Sequence, residues 1–433
     1  MARDPVRKAA RTIRRSHWTS VGEPSATGTK MSEPTGISAE ASARSIGATT
    51  VDARALAPDL ARGCMLLLIA LGNAHVYLVG DEIGVRGYPV AEAVPDRIVT
   101  LLQMVFVDGR AYPMFAALFG YGIVQLARRQ EGAGIEPNTV RKLIRRRGWW
   151  LVLFGFAHAL LLFSGDIIGS YGILAVGLAG VFLRARDRML LLAAGLWMVP
   201  VAVFGALQGL TVPETSQPSV SSISTSNPLA AAVLRLEEWV TLTFQQVLFS
   251  LVPALLFGVW AARRRLLDEP ERYRWRLRYA AAVGIGSAVA GGLPMALMAS
   301  AVWPEPGFVV STIAGLLHSV AGYAGGVGYT AIVGLVAIRL RQRRQGPVST
   351  ALTACGQRSM TCYLSQSVVF VAVLAAYGGG LGNDIGIAAT AVLAVLTWVL
   401  TVVAAEVMRR RRRRGPAEVL LRRFTYGATA PRT

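Results

Sequence analysis

The chain has 433 residues, of which 53% are apolar and only 16% are charged, and its mean hydropathy is +0.46. A water-soluble domain carries about 25% charged residues, so this composition excludes an ordinary soluble protein and favours a chain that faces lipid. The net charge of +20 does not indicate nucleic-acid binding, because the basic runs lie between apolar segments, as they do in membrane proteins.

Residues 1–55 are polar, rich in Ser, Thr, Arg, Gly and Pro, and lack the apolar period of a helix. They are predicted to form a disordered basic cytoplasmic arm. Their arginines favour attraction to anionic lipid headgroups, and they lack the apolar stretch of a signal peptide. The alternative is translation from Met31, which would shorten this arm.

Ten apolar segments follow, and most are about 17–23 residues long, enough to cross a hydrocarbon core of about 30 Å. The segments cover residues 61–79, 111–127, 148–164, 167–183, 189–207, 241–262, 279–301, 308–338, 359–377 and 386–408. They predict an all-α polytopic transmembrane helix bundle with about ten spans. The stretch 308–338 is too long for one straight span, so it is expected to contain a short entry helix followed by the span itself. Residues 97–107 predict another short helix at the outer surface.

The arginine clusters alternate with the apolar segments in a regular way. With ten spans and the N-terminus inside, every cluster falls on one side of the membrane: 128–129, 141–147, 184–188, 263–278, 339–344 and 409–414. By the positive-inside rule this side is cytoplasmic, and both termini lie there. The basic cytoplasmic loops are expected to contact anionic headgroups of the lipid bilayer.

The segments also divide the chain into parts. Residues 56–207 form an N-terminal transmembrane half and residues 241–408 a C-terminal half, each with five spans. Residues 208–240 contain a Ser-rich tract and are predicted to be a flexible outer loop. Residues 409–433 form a basic cytoplasmic tail.

His158 and Asp166 are the most informative polar residues, because an ionisable group inside a bilayer costs about 2.5–3.5 kcal/mol on insertion scales. An unbroken helix would separate them by about 12 Å, so direct contact requires a break at Gly165. One hypothesis makes His158 a proton acceptor and Asp166 the residue that orients a donor or substrate in an outward-facing cavity. The alternative makes His158 a neutral packing residue and Asp166 a helix cap.

Three candidate site residues lie in or beside the first span. Arg62 lies at its cytoplasmic edge, and Asn73 and His75 lie near its outer end. Arg62 follows Asp59 by three residues, which fits an interface anchor and an ion pair. Asn73 and His75 can line the same cavity as His158 or contact headgroup water.

Asp108 and Arg110 precede the second span. Arginine is unusual on the otherwise acidic outer face, so Arg110 can bind an anionic group of a small-molecule substrate. The equally weighted alternative is a local pair with Asp108.

The sequence does not indicate a metal site or a cofactor site. The three cysteines Cys64, Cys355 and Cys362 lie in or beside apolar segments without a CxxC pair, which predicts reduced packing residues and no metal site. The sequence contains no GxxxxGK[ST] loop, GxSxG elbow or HExxH motif, so no bound cofactor is predicted.

Five ordered blocks complete the pattern: DLARGCMLLLIALGN (59–73), DGRAYPMFAALFGYGI (108–123), HALLLFSGDIIGSYGIL (158–174), GQRSMTCYLSQS (356–367) and GPAEVLLRRFTYG (415–427). Together they resemble the YeiB-like membrane proteins that carry the domain of unknown function 418, over about residues 55–427. The resemblance implies a multi-pass protein of the plasma (inner) membrane of a bacterium. These proteins are grouped by similarity with membrane acyltransferases, which implies acyl transfer to an envelope or small-molecule acceptor, with acyl-CoA as co-substrate.

One departure from that acyltransferase pattern bears on mechanism. In the better understood branch, an Arg near the start of the first span is followed eleven positions later by a His. Arg62 matches the Arg, but Asn73 stands at the second position and the nearest His is His75. Acyl transfer would then need His158 as the base, or His75 from a shifted register. The alternative functions are a proton-coupled transporter or permease of a small metabolite, and a non-catalytic accessory membrane protein.

Overall fold

The computed structural model describes residues 56–79, 82–210, 220–304, 306–343 and 346–427. The arm predicted over residues 1–55 lies outside this range. In the described residues the secondary structure is helical, apart from an isolated bridge between Ile83 and Pro89. The predicted all-α fold is confirmed.

The helices of the first half follow the apolar segments closely. In chain order they are α1 (Leu56–Ala74), α2 (Val94–Phe106), α3 (Ala111–Gly132), α4 (Pro137–Leu161), α5 (Ile168–Arg184) and α6 (Asp187–Gly209). The short helix predicted over 97–107 corresponds to α2, which starts with Pro95 in its first turn, where a missing N–H does no harm.

The second half contains longer helices and two short C-terminal additions. In chain order they are α7 (Ser221–Ser224), α8 (Pro228–Gln246), α9 (Val252–Arg263), α10 (Arg274–Ala299), α11 (Phe308–Gln342), α12 (Pro347–Gln357), α13 (Ser359–Leu374), α14 (Ile387–Arg410) and α15 (Pro416–Tyr426). A π-helical segment, Val247–Leu251, joins α8 to α9, so the two form one continuous helix.

Six helical segments of the described chain are long and apolar enough to cross a bilayer: Leu56–Tyr77, Asp187–Gly209, Pro228–Arg263, Pro270–Ala299, Phe308–Gln342 and Ile387–Arg410. Apolar stretches of α5 and α13 are shorter. Each of the ten predicted segments overlaps a helix, and a multi-span helical protein is what the structure supports. The count of ten spans and the cytoplasmic placement of the termini stay predictions.

Two expectations about helix boundaries are corrected. The stretch expected to hold a short helix before its span is one continuous helix of 35 residues, α11. The segment predicted to be a flexible loop is helical over 228–240. There, Pro228 begins α8, and the Asn227 side chain accepts hydrogen bonds from Leu229 N at 2.9 Å and Ala230 N at 3.2 Å. The Asn-Pro pair is a helix start signal that the Ser-rich composition obscured.

Small residues set the closest helix crossings. A Cβ on Gly258 of α9 would clash with the Ala117 carbonyl of α3, and a Cβ on Gly63 of α1 would clash with the Leu352 carbonyl of α12. Glycine lets helix backbones approach this closely in a membrane, where van der Waals contact is a main force between helices. These crossings hold α1, α3, α9 and α12 around the largest apolar core.

The predicted basic tail contains α15, which docks on the N-terminus of α13. The Glu418 carboxylate accepts hydrogen bonds from Met360 N at 2.8 Å and Thr361 N at 3.1 Å, and also from the Thr361 hydroxyl. The first N–H groups of a helix have no partner in the helix itself, so a carboxylate here satisfies them and complements the helix dipole. This contact joins two of the five sequence blocks, 356–367 and 415–427.

We expect Glu418→Ala to destabilise the protein by roughly 1–3 kcal/mol, because it leaves buried helix N–H groups without an acceptor. The measurement is thermal unfolding of the purified protein in detergent. Glu406→Ala is the matched control, since Glu406 pairs with Arg409 and Arg410 at an exposed helix end and exposed pairs contribute little. An E418A protein as stable as E406A would contradict this role.

Candidate active site

The helix that carries His158 ends three residues later, at Leu161. The amides of Leu162 and Phe163 both donate to the His158 carbonyl, at 2.8 and 3.1 Å, which closes the helix. The chain then turns back through Gly165. This turn brings the Asp166 carboxylate to 2.8 Å from His158 Nδ1, so the two residues are in direct contact.

A third residue completes the arrangement from another helix. Ser367 of α13 places its hydroxyl oxygen 2.9 Å from His158 Nε2. Sequence reasoning missed this residue, although it lies in the block GQRSMTCYLSQS. With the imidazole proton on Nδ1, His158 donates to Asp166 and accepts from the Ser367 hydroxyl.

All three side chains are buried, and Asp166 is held at both oxygens. Its second oxygen accepts a hydrogen bond from Gly169 N at 2.6 Å, in the first turn of α5. Asp166 therefore caps the start of α5 and is also the partner of His158, two roles that are alternatives when judged from the sequence alone. A carboxylate, an imidazole and a hydroxyl in this order are the groups that activate a hydroxyl for nucleophilic attack.

A cavity of about 260 Å³ lies next to this triad. Its inner end is apolar and aromatic, with Phe115, Phe119, Tyr171 and Tyr363 in its wall. Tyr363 also packs on His158, with 5.1 Å between ring centroids. Ile167, another wall residue, directly follows Asp166. None of the three triad side chains is itself in the wall, and Tyr363 and Ile167 connect the triad to the apolar end of the cavity.

The other end of the cavity is basic. Four arginines line it, from α1, α3, α4 and α15: Arg62, Arg129, Arg147 and Arg422. Two carboxylates accompany them, Asp59 and Glu418. The surplus of guanidinium groups gives this end a net positive charge that favours an anionic ligand.

Three buried polar atoms in the cavity wall have no hydrogen-bond partner among the described residues: Asp59 Oδ2 and the hydroxyls of Tyr171 and Tyr363. Asp59 and Tyr171 are each 2% exposed and Tyr363 is 5% exposed. A buried polar group without a partner is costly, so these atoms are available to a ligand or to water in the cavity.

All five sequence blocks meet at this cavity. Of its 27 wall residues, 19 belong to the blocks 59–73, 108–123, 158–174, 356–367 and 415–427. The blocks are far apart in the chain, and the cavity is the place at which they converge.

Arg110 and Asp108 lie in a separate buried cluster between α3, α10 and α11. Arg110 is fully buried and donates to the Ala288 carbonyl at 2.8 Å and to the Asp108 carbonyl, and it contacts His318 Nε2 at 2.9 Å. Gly109 between them has φ +73°, a conformation that favours glycine. Arg110 is therefore bonded inside the protein, close to the local pairing that was the alternative to anion binding.

The cluster is completed by Arg86, which forms an ion pair with Asp108 and donates to Gln208 Oε1 at 2.8 Å. Burial alone would raise the pKa of the Asp108 carboxyl, but Arg86 and His318 hold it well below its usual range. His75 stacks on Tyr88 nearby, at 3.8 Å between ring centroids.

The predicted site residues thus divide into two groups. His158 and Asp166 touch each other beside the cavity, and Arg62 lines it while bonded to Asp59 at 2.9 Å. Asp108 and Arg110 belong to the second cluster, and Asn73 is half-buried and absent from the cavity wall. This cavity has its basic end at the helix ends predicted to be cytoplasmic, and neither His158 nor Arg110 is in its wall. The outward-facing cavity expected beside His158 stays a prediction.

Comparison with known proteins supports one family. Residues 261–428 match a family described as a protein of unknown function, DUF418. The chain is also 25% identical over 350 residues to the uncharacterized protein YxaH of Bacillus subtilis (strain 168), which covers 75% of this chain and 81% of the relative. Neither description names an activity, so the expected likeness to acyltransferases stays a prediction.

We expect Gly155→Ala to destabilise the protein, because a Cβ there would clash with Gly169 N and the Asp166 carboxylate. Thermal unfolding in detergent measures the effect. Gly177→Ala in the same pair of helices is the control, because nothing lies within 4 Å of its Cβ position, and alanine favours a helix over glycine. Equal melting temperatures for the two variants would contradict the packing described around Asp166.

Proposed function

Because the chain belongs to the DUF418 family and is a multi-span helical protein, we propose that it is a membrane acyltransferase. An anionic acyl donor enters the cavity from the cytoplasmic side, and its acyl group passes to an envelope or small-molecule acceptor. The observation that carries this proposal is the position of the His158–Asp166 pair beside the apolar end of a cavity with a basic mouth.

The two ends of the cavity match the two parts of an acyl-CoA molecule. Arginine binds phosphate through charge-assisted hydrogen bonds, so the four arginines suit the phosphates of coenzyme A. The aromatic inner end suits the acyl chain, whose burial contributes about 0.8 kcal/mol per methylene. A donor bound this way places its reactive carbonyl toward His158.

His158 is the general base in this proposal. Its Nε2 takes the proton of the acceptor hydroxyl, and the Asp166 contact at Nδ1 fixes the tautomer in which Nε2 accepts a proton. Asp166 also stabilises the imidazolium that forms when the proton is accepted.

The proposed location is the plasma membrane of a bacterium, with both termini in the cytoplasm. The alternation of arginine clusters and the bacterial relative support it. In this orientation the basic mouth of the cavity faces the cytoplasm, where acyl-CoA is made, and the basic helix ends meet anionic headgroups.

A proton-coupled transporter is the second candidate, favoured by the buried cluster of Arg86, Asp108, Arg110 and His318. Ionisable groups buried in a helical membrane protein often form proton pathways. This function predicts uptake of a metabolite into vesicles driven by a pH gradient and lost in Asp108→Asn. The acyltransferase predicts that D108N affects stability alone.

We expect His158→Ala to lower acyl transfer by about 10²–10⁴-fold, the usual contribution of a general base. The purified protein in nanodiscs is incubated with radiolabelled acetyl-CoA and envelope extract, and label in the extract is counted. His75→Ala is the control and is expected to retain transfer. A loss of transfer in H75A with normal transfer in H158A would instead make His75 the general base.

We expect Arg62→Gln to weaken coenzyme A binding about tenfold, which corresponds to about 1.4 kcal/mol, because it removes one phosphate-binding group from the cavity. Calorimetric titration in nanodiscs measures the Kd. Arg276→Gln is the matched control, since Arg276 is exposed at the start of α10 and outside the cavity. Equal Kd values for R62Q and R276Q would place the ligand elsewhere.

A further inference from the structure

We propose that Ser367 is a catalytic nucleophile, so that acyl transfer passes through an ester on its hydroxyl. The proposal rests on the acyltransferase function above and adds a covalent step to it. It starts from one contact, the 2.9 Å separation of Ser367 Oγ and His158 Nε2, between side chains that are each about 3% exposed.

Most helical hydroxyls of the described chain bond their own backbone, and the Ser367 hydroxyl is one of the exceptions, as are those of Ser170 and Thr361. Hydroxyls in apolar helices commonly donate to the carbonyl four residues earlier. Ser365 does this to Thr361 at 2.9 Å, and Thr397 does it to Leu393 at 2.7 Å. The Ser367 hydroxyl instead meets an imidazole nitrogen on another helix. The difference from Ser365, two residues away in the same helix, indicates a role beyond satisfying a polar side chain.

The rest of the arrangement suits nucleophilic attack. Asp166 is fixed by Gly169 N and by His158 Nδ1, so the imidazole cannot turn away from the serine without losing that contact. Tyr363 lies one helical turn before Ser367 and forms part of the cavity wall. Ser367 therefore lies on the same face of α13, one turn beyond the wall residue. The unpartnered Tyr171 hydroxyl at the same end of the cavity is a donor for the carbonyl oxygen, where negative charge develops.

The proposed reaction has two balanced halves. In the first, His158 Nε2 takes the Ser367 proton, Oγ bonds to the thioester carbonyl carbon, the C–S bond breaks, and the departing thiolate takes the proton from His158. In the second, His158 takes the proton of an acceptor hydroxyl, whose oxygen bonds to the same carbon. The bond to Ser367 Oγ breaks, and Oγ recovers the proton. No oxidant or reductant is required.

The test measures covalent labelling as well as turnover. The full-length protein in nanodiscs is treated with a fluorophosphonate probe, which reacts with activated serines, and separately with acetyl-CoA followed by acid quenching. Peptides containing residue 367 are then analysed by mass spectrometry. Ser367→Ala and Ser367→Cys are compared with Ser365→Ala, which changes an exposed serine of the same helix.

The proposal expects fluorophosphonate and acetyl adducts on Ser367 in the wild type and in S365A. Labelling in S367A is expected to fall at least tenfold, and S367C is expected to carry the acetyl group on sulfur. His158→Ala is expected to abolish both adducts. An adduct without transfer to envelope acceptors would support Ser367 as nucleophile and count against the proposed transfer.

Two outcomes would overturn the proposal. If S367A transfers acetyl groups at the wild-type rate while H158A does not, transfer is direct, so the acyltransferase function stands and the covalent step is wrong. If neither reagent modifies Ser367 in a wild-type protein that unfolds cooperatively on heating, the hydroxyl is not activated, and its contact with His158 serves packing alone.

Discussion

Hydrocarbon offers no hydrogen-bond partners, so a polar side chain inside a helical membrane protein must find its partner within the protein. In this chain several buried polar residues meet that requirement by bonding between helices. His158 joins α4 to α13 through Ser367 and to the start of α5 through Asp166. Glu418 joins α15 to α13. The cavity lies among these same helices, so its shape depends on bonds that the surrounding lipid makes necessary.

The cavity combines features that each have a structural explanation alone but together favour a ligand. Arginines at a cytoplasmic helix end are ordinary in membrane proteins, and aromatic side chains within a helix bundle are ordinary packing residues. Here they form the two ends of one space whose wall also holds three buried polar atoms without partners among the described residues. In the second buried cluster Arg86 and Asp108 form an ion pair, and Arg110 donates to backbone carbonyls.

Much of this fold could be predicted from the sequence, because apolar runs of spanning length specify helices wherever they occur. The cost of burying charge likewise identified His158 and Asp166 as functional candidates. Their contact could not be predicted, since the apolar run continues through Phe163 and conceals the helix end at Leu161. Ser367 was missed for a related reason: a serine in an apolar helix can bond its own backbone, so its presence carries no signal. The cavity depends on the depth of side chains in seven helices, which no local pattern reveals.

In the proposed function the cavity opens on the arginine-rich side and holds an anionic donor. A single cysteine at the wall residue Leu126, in a chain with Cys64, Cys355 and Cys362 replaced by alanine, tests it directly. We expect a membrane-impermeant thiol reagent to modify this cysteine in inside-out vesicles and not in right-side-out vesicles, and acetyl-CoA to slow the reaction. Modification from the opposite side, or a rate that saturating acetyl-CoA leaves unchanged, would contradict the account.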